Sequence, residues 1–132
     1  MTKKYGIAAE RQLVNLFWEH NFAAIRIPAS GAGGKNYPKP DLIAGNGQKY
    51  YAFELKTSTS AERIYLHNSE VQELSSFSER FGCIPYIAVK FPQKSREWKF
   101  YKIPDLPKTS SGNYKIDFTE DFSNGIEFSQ LL

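Results

Sequence analysis

A β-hairpin starting at Asp41 constrains the fold of this chain more than any other feature of the sequence. An apolar run and a strand-like run, residues 41–44 and 49–56, flank the turn signal Asn46-Gly47. A two-residue type I′ turn at that signal pairs the two runs so that Asp41 lies opposite Ala52. The pattern therefore predicts a hairpin with a defined register.

The hairpin carries two carboxylates and one amine on a single face. Side chains alternate along a strand, so Glu54 and Lys56 share one face, and the other face consists of Tyr51, Phe53 and Leu55. Glu54 becomes the diagonal neighbour of Asp41, and such pairs lie roughly 7–8 Å apart at their backbones. Two carboxylates at that spacing can bind one cation. The alternative is a turn aspartate next to the solvated face of an ordinary edge strand.

Residues 3–20 predict an amphipathic helix that contributes a third carboxylate. Glu10 falls in the middle of the apolar stripe formed by Leu13, Val14 and Phe17. An ionised carboxylate that faces the interior must be protonated, paired or bound to a metal. The hypotheses are a metal ligand or ligand-orienting base and, alternatively, a structural ion pair with a cation such as Arg11 or Arg26.

A Gly-rich loop at residues 28–39 leads directly into Pro40-Asp41. Its backbone allows close approach to a phosphate, and Ser30, Lys35 and Lys39 offer hydrogen-bond donors. The loop does not match the spacing of a Walker motif, and many Gly/Ser loops are only flexible. Its position favours a loop that delivers Ser30 to the carboxylate face.

The remaining patterns predict an α/β fold with a mixed central β-sheet flanked by helices. The form of a capping box at 69–72 opens a helix that Gly82 closes after Phe81, and apolar runs predict strands at 22–27, 64–66, 84–91 and 98–103. We expect one domain over 1–132, with a core at 1–104 and a packed extension at 105–132. The extension either finishes the sheet edge or contributes to a subunit contact.

Charge is unevenly distributed along the chain. Residues 1–104 carry a net charge of +6, and residues 105–132 carry −3. The basic part is expected to meet a polyanion. The candidates for phosphate contact are Arg11, Arg26, Lys35, Lys39, Arg63, His67, Lys94 and Arg96. For each of them the alternative is an ordinary solvated surface residue.

The single cysteine excludes an internal disulfide. The sequence has no apolar run of ~18 residues and no signal pattern, which favours a cytoplasmic protein that does not span a membrane.

The order of these motifs resembles the archaeal Holliday junction resolvases of the PD-(D/E)xK nuclease superfamily, which includes restriction endonucleases. The resemblance covers roughly residues 5–104 and rests on the following elements in sequence: Gly6-x-x-x-Glu10-Arg11, Ser30-Gly31, Pro40-Asp41, Glu54-x-Lys56, Ile64-Tyr65-Leu66 and residues 86–91. It implies a restriction-endonuclease-like sheet. One departure is the loop at 32–39, which is longer and less apolar than the family pattern and weakens the placement of Ser30.

The resemblance also implies roles for individual residues. Glu10, Asp41 and Glu54 match the family's magnesium ligands, Lys56 matches its catalytic lysine, and Ser30 matches a loop serine needed for cleavage. It implies a homodimer that nicks two opposed strands of a four-way DNA junction. Hard oxygen ligands and a phosphate substrate favour Mg²⁺, with Mn²⁺ as a substitute.

Two other functions remain open from the sequence. One is a related nuclease that acts on duplex, flap or single-stranded DNA ends, and the other is a protein of the same fold that binds DNA structures without cutting them. Metal-dependent nicking of a junction, compared with a matched linear duplex, separates the three hypotheses. The sequence does not decide whether a sliding clamp or a helicase recruits the protein.

Overall fold

The structure is a computed structural model that describes residues 3–28, 37–58 and 62–132. The helices are α1 (Lys3–Glu19) and α2 (Asn68–Phe81). The strands are β1 (Ala23–Arg26), β2 (Leu42–Gly45), β3 (Tyr50–Thr57), β4 (Arg63–Leu66), β5 (Ile84–Lys90), β6 (Lys99–Tyr101), β7 (Tyr114–Asp117) and β8 (Ile126–Glu127). Short 3₁₀ turns occupy Ile103–Asp105, Phe122–Asn124 and Phe128–Leu131.

Within these ranges the main sheet has six strands in the order β1-β2-β3-β5-β6-β8. Strands β3 and β5 are parallel, and the other neighbouring pairs are antiparallel. A parallel pair needs a long crossover connection, and the segment that includes α2 provides it. Strands β4 and β7 form a separate two-stranded sheet. The predicted mixed sheet flanked by helices is confirmed.

The two helices cover opposite faces of the main sheet. On one face Leu13 and Phe17 of α1 belong to the same buried cluster as Tyr51, Phe53 and Leu55 of β3. On the other face Val71 and Leu74 of α2 belong to a cluster with Ala52, Ile87 and Val89. The alternation predicted for β3 is therefore correct. It leaves Glu54 and Lys56 on the face that α2 covers.

The hairpin is present, but its predicted register is wrong by two residues. Gly45 pairs with Tyr50, and Ala52 lies opposite Ile43 rather than Asp41. The turn is longer than two residues because the Oδ1 atom of Asn46 accepts the backbone N–H groups of Gln48 at 2.9 Å and Lys49 at 2.7 Å. A shift of two residues preserves the faces of the strand, so the carboxylates keep their predicted side.

Helix α2 begins earlier than its predicted capping box. His67 occupies the N-cap position, and Glu70, three residues later, accepts the backbone N–H of His67 through Oε1 at 3.0 Å. The box expected at 69–72 was therefore two residues too late. The C-terminus is as predicted, since Gly82 adopts a left-handed conformation with φ of 87°.

The C-terminal segment extends the main sheet. Strand β8 pairs with β6 through Lys99 opposite Glu127, so of the two alternatives for residues 105–132 the sheet edge is observed. Leu131 is buried, and its carbonyl oxygen accepts the hydroxyl of Tyr51 at 2.6 Å. In the part of the chain that the structure describes, no helix combines the length and the apolar character that crossing a membrane requires.

Candidate metal centre and active site

The predicted carboxylates line one open cavity of about 470 Å³ at the end of the hairpin. Glu10, Asp41 and Glu54 lie in its wall together with Glu70 and Glu73 of α2. The other described residues of the wall are Ile27, Pro28, Tyr37, Lys39 and Pro40. Four segments of the chain therefore deliver acidic groups to one concave surface: α1, the two arms of the hairpin and α2.

Asp41 is held in place by the backbone of β3. Its N–H donates to the carbonyl oxygen of Phe53 at 2.9 Å, and its Oδ2 atom accepts the N–H of Leu55 at 2.8 Å. Leu55 lies beyond the end of β2, so its N–H would otherwise lack a partner on that side of the ladder. Pro40 has no N–H and cannot continue the pairing. The carboxylate of Asp41 thus accepts the hydrogen bond that a backbone carbonyl of a longer β2 would accept, and this bond fixes its orientation.

Asp41 and Glu54 lie close enough for each carboxylate to affect the pKa of the other. Extending the observed register by one residue sets them opposite each other, not on the predicted diagonal. Burial and then the charge of Asp41 raise the pKa of Glu54 to about 9. Burial is also the main cause that raises the pKa of Asp41, with a contribution from Glu10. Without a metal this pair therefore retains a proton at neutral pH.

The cations near the pair are engaged by other carboxylates. The Nε atom of Arg26 lies 3.0 Å from Oε2 of Glu10, and Nζ of Lys56 lies 2.5 Å from Oε2 of Glu70. Among the described residues, no ion pair joins a cation to Asp41 or Glu54. Two half-buried carboxylates in this situation fit a divalent cation with hard oxygen ligands, because such an ion offsets their repulsion.

The position of Glu10 bears on both of its hypotheses, the structural ion pair and the metal ligand. Its side chain is 16% exposed and forms the structural ion pair with Arg26. It also faces the cavity closely enough for its charge to raise the pKa of Asp41.

A second acidic cluster was not predicted from the sequence. In the described ranges, the group of carboxylates whose ligand atoms all lie within 4.8 Å is Asp117, Glu120 and Asp121, and Glu10, Asp41 and Glu54 do not form such a group. Asp117 pairs with Arg63 and, at 2.8 Å, with Nζ of Lys115. These hydrogen bonds lower the pKa of Asp117 to about 2. The acidic string at 117–121 was the signal in the sequence.

Glu70 is a residue of the cavity wall that was not predicted from the sequence. The sequence showed it only as part of a helix start, and its contact with Lys56 joins residues on two separate elements. Its position at the third residue of α2 was the available signal, because that residue points back toward the N-terminus of its helix.

The candidate DNA contacts are dispersed. Ser30 and Lys35 lie outside the described residues. Lys39 lines the cavity, Arg11 and Arg96 are exposed, and His67 caps α2. Arg26 binds Glu10, Arg63 binds Asp117, and Lys94 binds Glu62 at 2.8 Å. Lys39 is the candidate that the structure places in the cavity wall.

A family model described as archaeal Holliday junction resolvase (Hjc) matches residues 1–132. The crossover junction endodeoxyribonuclease Hjc of Archaeoglobus fulgidus is 39% identical over 129 residues, which cover 98% of this chain and 90% of that protein. Its counterpart in Methanocaldococcus jannaschii is 40% identical over 119 residues, covering 89% and 80%.

The fold agrees with a solved structure. The structure of Archaeoglobus fulgidus Hjc, described as a Holliday junction resolvase from an archaeal hyperthermophile, superposes with a TM-score of 0.81 at 36% identity. The match covers 94% of this chain and 95% of the other. A crossover junction endodeoxyribonuclease of Sulfolobus islandicus rod-shaped virus 1 is 30% identical over 119 residues, covering 88% and 93%.

Proposed function

The chain belongs to the archaeal Holliday junction resolvase (Hjc) family, and from this premise we propose that it resolves four-way DNA junctions by metal-dependent nicks in two opposed strands. The observation that carries the metal-dependent step is the Asp41–Glu54 pair, which is half-buried, lines the cavity and forms no ion pair with a cation among the described residues. Glu10 and Lys56 complete the set at the same end of the hairpin.

The residues present fit Mg²⁺, with Mn²⁺ as a substitute, because the ligands offered are carboxylate oxygens. Asp41 and Glu54 would hold the ion, and Glu10 would join them by exchanging part of its pairing with Arg26. When bound, the ion supplies charge to polarise the scissile phosphate and to lower the pKa of an attacking water.

The chain's own residues contribute positioning and charge. Asp41 is anchored to β3 through the N–H of Leu55, so its carboxylate is pre-oriented before DNA arrives. Lys56 presents an ammonium group that can donate to the attacking water or to a phosphate oxygen as negative charge develops. Lys39 in the cavity wall offers a further cation for the neighbouring phosphate.

Cutting opposed strands requires two equivalent sites, so the proposal includes a two-fold homodimer. Its contact is proposed at the apolar surface formed by Ile25, Ile43, Tyr50 and Phe81, which surrounds an open cavity of about 370 Å³. Ile25 is 57% exposed, Tyr50 46% and Phe81 58%. Monomeric proteins rarely expose large contiguous apolar patches, and a second copy of the chain would cover this one.

The oligomeric state tests the contact. Phe81→Glu places a charge in the proposed interface and is expected to shift the sedimentation coefficient from dimer to monomer. Trp18→Glu, at a residue that is 58% exposed on α1, serves as the matched control. A Phe81→Glu protein that remains dimeric would exclude this surface.

The function is tested by cleavage of a labelled four-way junction and a matched linear duplex, with Mg²⁺ added or withheld. The proposal expects paired nicks in the junction alone, and only with metal. Equal cutting of both DNAs would favour a nuclease that acts on duplexes or ends. Binding of the junction without cutting at any metal concentration would favour a DNA-structure-binding protein.

A further inference from the structure

Glu70 of helix α2, a residue of the cavity wall, binds the amine of Lys56. Their atoms Oε2 and Nζ are 2.5 Å apart, and the two side chains are 26% and 25% exposed. The other carboxylate oxygen of Glu70, Oε1, accepts the backbone N–H of His67 at 3.0 Å. Both oxygens are therefore committed, one to the first turn of α2 and the other to the lysine.

The contact joins two elements whose apolar side chains belong to the same buried cluster. Lys56 lies on β3, two residues from Glu54 on the same face, and α2 covers that face. The capping interaction fixes the rotamer of Glu70 relative to the backbone of α2. Glu70 thus offers a rigid acceptor at the boundary between helix and sheet.

We propose that Glu70 is a positioning residue for Lys56 in the nicking reaction, an inference that rests on the function proposed above. A lysine amine moves on a flexible four-carbon stem, whereas reacting groups need placement within about 0.5 Å. Glu70 holds the amine at one point of the cavity wall. Without it, the ammonium group is free to turn toward the carboxylates of Glu54 and Asp41, where the proposed metal is held.

The variant that tests this role is Glu70→Gln. Glutamine keeps an oxygen that can accept the N–H of His67, since Glu and Gln serve equally at the third position of a capping box. It loses the charge that binds Lys56. At saturating Mg²⁺, the single-turnover nicking rate on a four-way junction is expected to fall about 10-fold to 100-fold, the range seen when an outer partner of a reacting group is removed. The melting temperature and the Kd for the junction are expected to remain unchanged.

A double-mutant cycle separates positioning from other roles. In a Lys56→Ala background, Glu70→Gln is expected to have no further effect on the nicking rate, because the group that it positions is gone. The same fold loss in both backgrounds would show that Glu70 acts independently of Lys56, for example as a metal ligand, and would overturn the inference. So would a Glu70→Gln protein that nicks at the wild-type rate.

The control is Glu79→Gln. Glu79 lies further along α2, is exposed and does not line the cavity. Its replacement removes an equal charge from the same helix and is expected to leave the nicking rate within about threefold of wild type. An equal loss in Glu79→Gln and Glu70→Gln would assign the effect to the overall charge of α2 and overturn the inference. Failure of the wild-type protein to nick the junction would instead refute the proposed function.

Discussion

The two acidic clusters of this protein have opposite electrostatic character. Burial raises the pKa of Glu54 to about 9, and the charge of Asp41 adds to that effect, whereas Lys115 and Arg63 lower the pKa of Asp117 to about 2. The difference lies in where the cations are. At Asp117 two cations bind one carboxylate directly. At the hairpin end, Arg26 and Lys56 bind the outer carboxylates Glu10 and Glu70.

The proposed metal site is not the place where carboxylates are most closely grouped. The cluster at Asp117 is the more tightly grouped, with all ligand atoms within 4.8 Å, but its buried member is already neutralised by the protein. The Asp41–Glu54 pair retains a need for positive charge. We therefore interpret the cluster at Asp117 as structural and the Asp41–Glu54 pair as the proposed site for a cation.

The largest expected effect is on cleavage. Asp41→Asn and Glu54→Gln each remove a proposed metal ligand and are expected to lower the junction nicking rate by at least about 10²–10³-fold, the scale of losing one preorganised electrostatic group. Junction affinity, measured by gel shift, is expected to survive. Asp117→Asn is the matched variant from the other cluster and should nick at a rate close to wild type. Cleavage that depends on Asp117 rather than on Asp41 would reverse the comparison.

The second effect concerns stability in the absence of metal. The pKa of Glu54 is higher in the folded protein than in the unfolded chain, so folding favours the protonated side chain. Its contribution to the free energy of unfolding is fully present below about pH 4.5 and is lost as the pH rises toward about 9. Glu54→Gln abolishes this loss. Its melting temperature is expected to exceed that of wild type at pH 8 by about 5 °C, with little difference at pH 4.

Scanning calorimetry at both pH values, with EDTA present, measures this difference. Saturating Mg²⁺ is expected to raise the melting temperature of wild type and to have a smaller effect on Glu54→Gln. A melting temperature of wild type that does not change between pH 5 and pH 9 would contradict the raised pKa of Glu54 in the metal-free protein.

The third effect has the opposite sign and occurs at acid pH. The pKa of Asp117 is lowered in the folded protein, so its stabilising contribution is present above about pH 3.8 and is lost as pH falls through about 2. Asp117→Asn is expected to lower the melting temperature at pH 7 and to bring no further loss near pH 2. Thermal unfolding followed by circular dichroism measures it, with Glu120→Gln, at an exposed neighbour, as the control.

The smallest effect is expected at the rim of the cavity. Lys39→Gln removes a cation that lines the cavity and should reduce the slope of log affinity against log salt by about 0.9 for junction DNA. Lys94→Gln removes a cation that is paired with Glu62 at 2.8 Å and should change the slope less. Equal slopes for Lys39→Gln and wild type would place the DNA path away from this wall.

Much of the fold followed from local patterns in the sequence. The face alternation of β3, the end of α2 at Gly82 and the mixed sheet between two helices were all predicted correctly. The hairpin register was wrong because Asn46 bonds two backbone N–H groups with its side chain and lengthens the turn. The start of α2 was wrong because His67, a weak capping residue by type, occupies the N-cap.

The sequence by itself determined that Asp41, Glu54 and Lys56 would lie on one face at one end of a hairpin, because strand alternation has a period of two and survives an error of two residues in register. Only the tertiary structure decided which charges meet. Arg26 reaches Glu10 across 16 positions of the chain, and Lys56 reaches Glu70 from a separate helix. Such pairings depend on how helices pack on the sheet, which no local period encodes, and they leave Asp41 and Glu54 as the pair that needs a cation.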